Sequence, residues 1–266
     1  MLHLDAVYSG RTALSFMKTE KELQEFIRSG NKEYIAGLTI DCVIFGYHDQ
    51  ELKVLLGNYK GLNGYGLPGG YIKKTELLSV AAERILKEKT SLDNVYLEQF
   101  YIFGDTPFRK QKNSTHPSIA NTWLADRTLS IGYYALVEFS KVTPVPDFLV
   151  GPYEWRDVKM LPPLLFDHTD MISKALEHLR VHLYHKPIGY NLLGRRFTLP
   201  EIQSLYETIL DKKLDRRNFP KKLMSLGLIK NTNEVRKIGQ HRSPKLYTFD
   251  KKNYNAALER GIVLVL

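Results

Sequence analysis

The 266-residue sequence has one cysteine, two tryptophans and no apolar run approaching the roughly 20 residues that a membrane span requires. A single Cys42 allows no internal disulfide, and no Cys/His cluster has zinc-binding spacing, so neither device is expected to stabilise the chain. Cys42 itself reads as a small buried strand residue. The first residues lack the basic, apolar and small-residue succession of a signal peptide, so a cytoplasmic location is the expectation. No Ser or Cys nucleophile motif is present, and no aromatic stacking platform of the usual RNA-binding types is evident, which ranks RNA below other polyanions. What remains is an ordinary globular composition, 43% hydrophobic and 25% charged, long enough for one large or two modest domains.

Charge is abundant but unevenly placed. The net charge of +9 arises entirely in the last 80 residues: positions 1–186 carry equal numbers of basic and acidic residues, whereas positions 187–266 carry 16 and 7. Such asymmetry calls for a polyanionic partner at the C-terminal end.

The most informative stretch is Gly66–Leu92. Gly66, Pro68, Gly69 and Gly70 predict a loop, because three residues lack a Cβ and one lacks an N–H. Thr75 then reads as an N-cap, and Leu77, Leu78, Ala81, Ala82, Ile85, Leu86 and Leu92 recur at helical spacing. This glycine-loop-to-helix segment resembles the Nudix box: Gly70, Glu76, Arg84, Leu86, Glu88 and Leu92 match its pattern. Three positions depart from it. Ile85 stands where the family has the Glu implicated as base, Lys89 replaces a metal-ligating Glu, and Ser91 replaces a Gly. Positions 85, 88 and 89 share a helix face, and that face offers one carboxylate beside a hydrocarbon and an ammonium. A hard divalent cation wants several anionic oxygens, so the expectation is a scaffold that has lost pyrophosphate hydrolysis, with no catalytic residue, no metal and no cofactor.

Around the box the chain reads as follows. Residues 1–36 form an N-terminal arm with a helix, since Leu14, Phe16, Met17, Leu23, Phe26 and Ile27 recur among Lys and Glu. Leu38–Tyr47 and Leu52–Leu56 read as a hairpin turning at His48-Asp49-Gln50-Glu51, and Val95–Phe103 and Arg127–Val137 as further strands. Between the last two lies a long polar connection, Asp105–Asp126. Trp155 and the segment Leu161–His168 close this domain. Asp167-His168 invites an acid–base assignment, but capping of a helix over Thr169–Tyr184 by Asp167, His168 or Thr169 is the preferred reading.

After a hinge at Pro187-Ile188-Gly189, Thr198 and Glu201 form a capping box for a helix whose stripe is Leu199, Ile202, Leu205, Tyr206, Ile209 and Leu210. A turn leads to a second helix, starting at Asp215 or Asn218 and ending at Leu226-Gly227. Its apolar side is Phe219, Leu223 and Leu226; Arg217 and Lys221 lie opposite, flanked by Arg216 and Lys222. Pro220 fits only a first turn and so favours a start at Asn218. A basic hairpin over Val235–Phe249 follows. Helix, turn, basic helix and wing are the parts of a winged helix-turn-helix that enters the DNA major groove. Its candidate DNA contacts are Arg195, Arg196, Arg216, Arg217, Asn218, Lys221, Lys222, Arg236, Lys237, His241, Arg242 and Lys245.

Residues 187–223 closely resemble the C-terminal winged helix of the Nudix-related transcriptional regulators, and the likeness extends over residues 37–250. The resemblance implies an α/β (α+β) protein: an arm at 1–36, a degenerate Nudix-type mixed sheet sandwiched by helices at 37–186, and a winged helix at 187–266. It implies a ligand-responsive repressor that binds palindromic operator DNA as a homodimer. Its effector site would occupy the former substrate cleft, with Asp41, Glu88, Arg127 and Tyr133 as candidate residues. For Arg127, binding of a ligand anion or hydroxyl and a surface ion pair with Asp126 remain equal alternatives. The branch most resembled is the sugar-responsive one that includes arabinose-utilisation repressors, which points to a sugar or nucleotide sugar as effector; other members sense ADP-ribose. The competing expectation is an active hydrolase of ADP-ribose or sugar nucleotides with an accessory basic domain.

Overall fold

The computed structural model describes residues 19–60, 62–93, 95–105, 122–187, 192–237, 243–262 and 264. The apolar positions Leu14, Phe16 and Met17 lie outside them. Helix α1, Glu20–Glu33, begins at a capping box in which Thr19 and Glu22 exchange side-chain and backbone hydrogen bonds. Strand β1, Tyr34–His48, follows directly and is the centre of the Nudix-type domain. It pairs parallel with β6, Leu129–Glu138, and antiparallel with β2, Glu51–Tyr59, and β4, Gly69–Lys73. Strands β3, Tyr65–Gly66, and β7, Val150–Asp157, pair with β2, while β5, Leu97–Phe103, pairs with β6.

Side chains of a strand alternate between faces, and here both faces are covered, which is why β1 reads as a continuous apolar run. Ile40, Cys42 and Ile44 pack under helix α2, Leu78–Thr90, with Ala81, Ala82, Ile85 and Leu86. Val43 and Phe45 face helix α3, His168–His185, which adds Met171, Ile172, Ala175, Leu179 and Leu183. The same apolar cluster continues into helix α4, Leu199–Leu210, helix α5, Asn218–Ser225, and the hairpin of β8, Ile229–Val235, with β9, Lys245–Phe249. The two halves of the chain therefore share one core. Polar contacts also join them: Arg180 Nε donates to the Ile209 carbonyl (2.9 Å), and Thr208 Oγ1 to the Gln50 carbonyl (3.2 Å). Helix α6, Lys251–Arg260, ends the fold. Beyond it Ile262 and Leu264 donate backbone N–H groups to His185 and Tyr184 at the far end of α3.

Several local expectations are corrected. Gly66, Gly69 and Gly70 lie in strands; only Leu67-Pro68 interrupts them. Their glycine is required by close approach: a Cβ on Gly69 would lie 2.2 Å from Asp41 Oδ1, and one on Gly66 would lie 2.5 Å from the Tyr59 ring. Thr75 does not cap α2, whose N-cap is Leu77 without a side-chain capping bond. Strand β7 and helix α6 carry patterns that sequence reading left unassigned, and β8 starts at Ile229 rather than near Val235. The expected turn is borne out by Asp49 and Gln50, whose positive φ values of 44° and 66° fit a two-residue hairpin connection.

Because Leu179 is fully buried where the sheet and the winged helix meet, Leu179→Ala is expected to cost about 2–5 kcal/mol. Urea denaturation measures it, and the loss is a large part of the roughly 5–15 kcal/mol by which domains are stable. A midpoint unchanged from wild type would contradict the shared core.

Candidate functional site

A cavity of about 550 Å³ opens between α1, β1, β4, the second half of α2 and the start of α3. Its outer wall was not foreseen from sequence: α1 contributes Glu22, Phe26 and Glu33. The helix is held there by the Trp123 indole N–H, which donates to the Ile27 carbonyl (3.0 Å), and by a Lys73–Glu33 ion pair (2.8 Å). Phe26, Tyr71 and Trp123 pack ring against ring with centroids 5.0–6.0 Å apart.

The box residues line one side, but not as a metal site. Arg84 donates to both oxygens of Glu76 (2.6 and 2.9 Å), to the Tyr71 carbonyl (2.9 Å) and to Glu88 (3.2 Å). Burial would raise the Glu76 carboxyl, yet the hydrogen bonds from Arg84 and the Lys73 backbone carry it below the usual range. Lys89 Nζ donates to Asp147 at 2.5 Å. Ile85 is buried beneath Gly70, whose added Cβ would lie 3.1 Å from its side chain. Ile85, Glu88 and Lys89 thus answer to three different partners. Glu88, the box carboxylate left for a cation, is already committed to Arg84, and among the described residues no group of three or more His, Cys, Asp or Glu is placed to hold a metal ion. The donor set does not fit a hard divalent cation.

On the opposite side Asp41 and His168 converge. Asp41 accepts from the Ser130 hydroxyl and from Thr39 Oγ1 (3.4 Å) through Oδ2. Burial pushes its carboxyl up to about 6, against the lowering effect of those two hydrogen bonds. His168 is not a helix cap. Its ring is buried and its Nδ1 accepts the Leu67 backbone N–H (3.0 Å), so the neutral ring carries its proton on Nε2, which lies 3.8 Å from Asp41 Oδ1. Burial holds the imidazole down at about 4. Asp167 occupies the N-cap position of α3.

Of the expected effector residues, Asp41 and Glu88 line the cavity. Arg127 and Tyr133 are not among its lining residues. Arg127 is exposed and donates to the Gly104 carbonyl (3.2 Å), and Tyr133 is buried under α2 with its hydroxyl donating to Gln99 (3.2 Å). Both were carried over from one segment: Arg127 precedes β6, and Tyr133 lies on the face of β6 opposite Ser130, which does line the cavity.

The winged helix is built as expected at its first helix: Thr198 and Glu201 form the capping box of α4. Asp215 accepts the backbone N–H groups of Arg217 (3.0 Å) and Asn218 (2.7 Å), fixing the entrance of α5, and Pro220 sits in its first turn. Phe219 and Leu223 are buried, which turns Arg217, Asn218 and Lys221 outward; Arg195, Arg216, Lys237 and Lys245 are exposed too, and Lys222 is half-buried. Two of the described candidates are ion-paired within the domain. Arg236 holds both oxygens of Glu201 (2.5 and 3.2 Å), clasping the wing to the first helix, and Arg196 pairs with Glu234. His241 and Arg242 lie outside the described residues.

Comparison with known proteins agrees with this architecture. The NrtR DNA-binding winged helix domain family matches residues 189–249. The chain is 28% identical over 225 residues to the ADPR responsive transcriptional repressor NtrR of Acinetobacter baylyi, covering 82% of this chain and 84% of that protein. It resembles the crystal structure of Shewanella oneidensis NrtR complexed with a 27mer DNA, at 29% identity and a TM-score of 0.63, over 82% of this chain and 95% of that one. A MutT/nudix family protein from Enterococcus faecalis shares the fold at 22% identity and a TM-score of 0.59, covering 86% and 93%.

The buried carboxyl makes a testable demand on stability. An acid whose folded pKa is raised binds more protons folded than unfolded, so its contribution falls as pH rises from about 4 to about 6 and stays low above. Asp41→Asn removes that loss. The variant is expected to melt above wild type at pH 7.5 and to lose the advantage near pH 4; equal melting temperatures across the range would contradict a raised carboxyl.

Proposed function

We propose an effector-gated operator-binding protein, on the premise that this chain belongs to the Nudix-related transcriptional regulators, a Nudix-type domain carrying an NrtR-type winged helix. It is a DNA-binding transcriptional repressor. The observation that carries the finer reading is the outward face of α5: Arg217, Asn218 and Lys221 are exposed on a helix whose other side is locked into the core. These three would approach base edges. Arg195, Arg216, Lys222, Lys237 and Lys245, with His241 and Arg242, would contact phosphates. Arg236 and Arg196 would instead shape the wing, since carboxylates already hold them. A homodimer would present two such helices to the halves of a palindrome.

The cavity walled by α1 is the effector site in this reading, with Asp41 and Glu88 among its contacts; Arg127 would act only if a ligand reached beyond the cavity. The name of the Acinetobacter relative supports ADP-ribose, or a related ribosyl nucleotide, over arabinose as the effector. The Nudix-type domain would bind without hydrolysing, because Arg84 and Lys89 occupy the carboxylates a metal would need.

Reversing Arg217 and Lys221 to Glu is expected to abolish the shift of operator DNA while leaving the melting temperature within a few degrees of wild type. A double variant that still shifts the operator at wild-type affinity would remove α5 from the interface. Incubation with ADP-ribose and Mg²⁺ is expected to give no turnover; hydrolysis that disappears in Glu88→Gln would establish the enzyme reading instead.

A further inference from the structure

Most polar groups around the cavity are spent on one another. Arg84 is divided between Glu76, Glu88 and a carbonyl, Lys89 is taken by Asp147, and Lys60 Nζ donates to the Asp147 carbonyl at 3.0 Å. Acidic residues outnumber basic ones along the lining. A phosphate entering here would have to displace a carboxylate from Arg84 or Lys89, or compete with the Asp147 carbonyl for Lys60. Recognition by charge is therefore not what the cavity offers unspent.

What it does offer is a donor beside an acceptor. Asp41 uses Oδ2 for Ser130 and Thr39, which leaves Oδ1 directed at His168 Nε2, 3.8 Å away and beyond hydrogen-bond length. The Leu67 N–H on Nδ1 fixes the proton of the neutral ring on Nε2. The pair is rigid, because Gly69 leaves just enough room for Oδ1 and the ring of His168 is buried at the first turn of α3. A third group faces the same space: the hydroxyl of Tyr153, a lining residue, is buried with no hydrogen-bond partner among the described residues. Three uncharged or singly acidic groups, each able to bond an O–H, describe a polyol site.

We infer that Asp41 Oδ1 and His168 Nε2–H clamp two neighbouring hydroxyls of the effector, the carboxylate accepting from one and the imidazole donating to the next, with Tyr153 bonding a third polar atom. This rests on the reading of the cavity as the effector site and names its ligand chemistry: a vicinal diol, carried by a free pentose or by a ribose of a ribosyl nucleotide. A carboxyl near 6 is an acceptor at pH 7.5, and an imidazole held near 4 remains a donor through Nε2, so both partners are in the required state there.

The test uses the full-length protein at pH 7.5, with thermal shift and calorimetry. Probes are L-arabinose, D-ribose, 2-deoxy-D-ribose, ADP-ribose, and ADP-ribose analogues lacking the 2-hydroxyl of either ribose in turn. At least one diol-bearing probe is expected to bind, and its deoxy counterpart to bind about tenfold or more weakly, as expected for loss of a hydrogen bond to a charged group. The free-sugar and nucleotide arms tell which molecule carries the diol. Asp41→Asn and His168→Gln are each expected to weaken that probe by about tenfold or more while still shifting operator DNA in its absence, which shows that they fold. A probe bound equally by wild type and both variants, or equally with and without its 2-hydroxyl, overturns the clamp but leaves the effector reading intact. If no probe binds, or binding leaves DNA affinity unchanged, the effector reading falls and the clamp with it.

Discussion

One helix has to satisfy two cores at once. α3 lays Met171, Ile172 and Ala175 against the sheet, and Leu179 and Leu183 where the sheet meets the winged helix. Its eighteen residues span roughly 27 Å at 1.5 Å each, enough to reach from the cavity to the DNA-binding module. Both ends are fixed by other elements. His168 is bonded into the gap between β3 and β4, and the tail after α6 hydrogen-bonds the last two carbonyls before Lys186. Tyr134 Oη lies 2.5 Å from His182 Nδ1 and pins the last turn to β6. A helix held at so many points cannot shift at one end without carrying the other.

The Nudix-type box has a structural reason to persist whether or not it acts on a substrate. Arg84 closes the glycine-strand segment onto α2 by bonding Glu76, the Tyr71 carbonyl and Glu88 together, and Ile85 fills the space beneath Gly70. A glutamate at position 85 would bury a charge against Ile40 and Ile72 with no partner nearby, whereas isoleucine adds apolar contact. Lys89 compensates Asp147, whose Oδ1 in turn accepts the backbone N–H groups of Leu149 and Val150 ahead of β7. Substitutions that remove metal ligands thereby strengthen the packing of the same helix.

Where local chemistry decides the outcome, the sequence was legible. The Thr198–Glu201 capping box, the Asp49-Gln50 turn, the apolar side of α5 and the strand character of β1 all follow from neighbours within a few positions. The glycines misled because absence of a Cβ signals either a loop or a crowded strand, and only the positions of Asp41 and Tyr59 across the sheet decide between them. Of the three residues read as possible caps of α3, Asp167 takes the N-cap position, and which of them tertiary packing would bury, His168, was not legible. Arg127 and Tyr133 came from a motif, which records neither the strand alternation that directs Tyr133 away from the cleft nor the bond to the Gly104 carbonyl that holds Arg127 before β6. The α1 wall rests on a contact between Trp123 and Ile27 that spans 96 positions.

These features assign different jobs to the two sides of the cavity. The α2 side is internally neutralised and stiff, so it gives a ligand little to discriminate between conformations. The α3 side holds His168 in the first turn of the helix whose Arg180 bonds the Ile209 carbonyl in α4. A ligand that bonds Nε2 more strongly in one seating of α3 than in another shifts the winged helix by that difference in affinity and by nothing else. Tight binding through α2 alone would leave DNA affinity where it was. In the proposed reading, control over the operator would depend on the few groups that touch α3, even though the box on α2 is what identifies the domain.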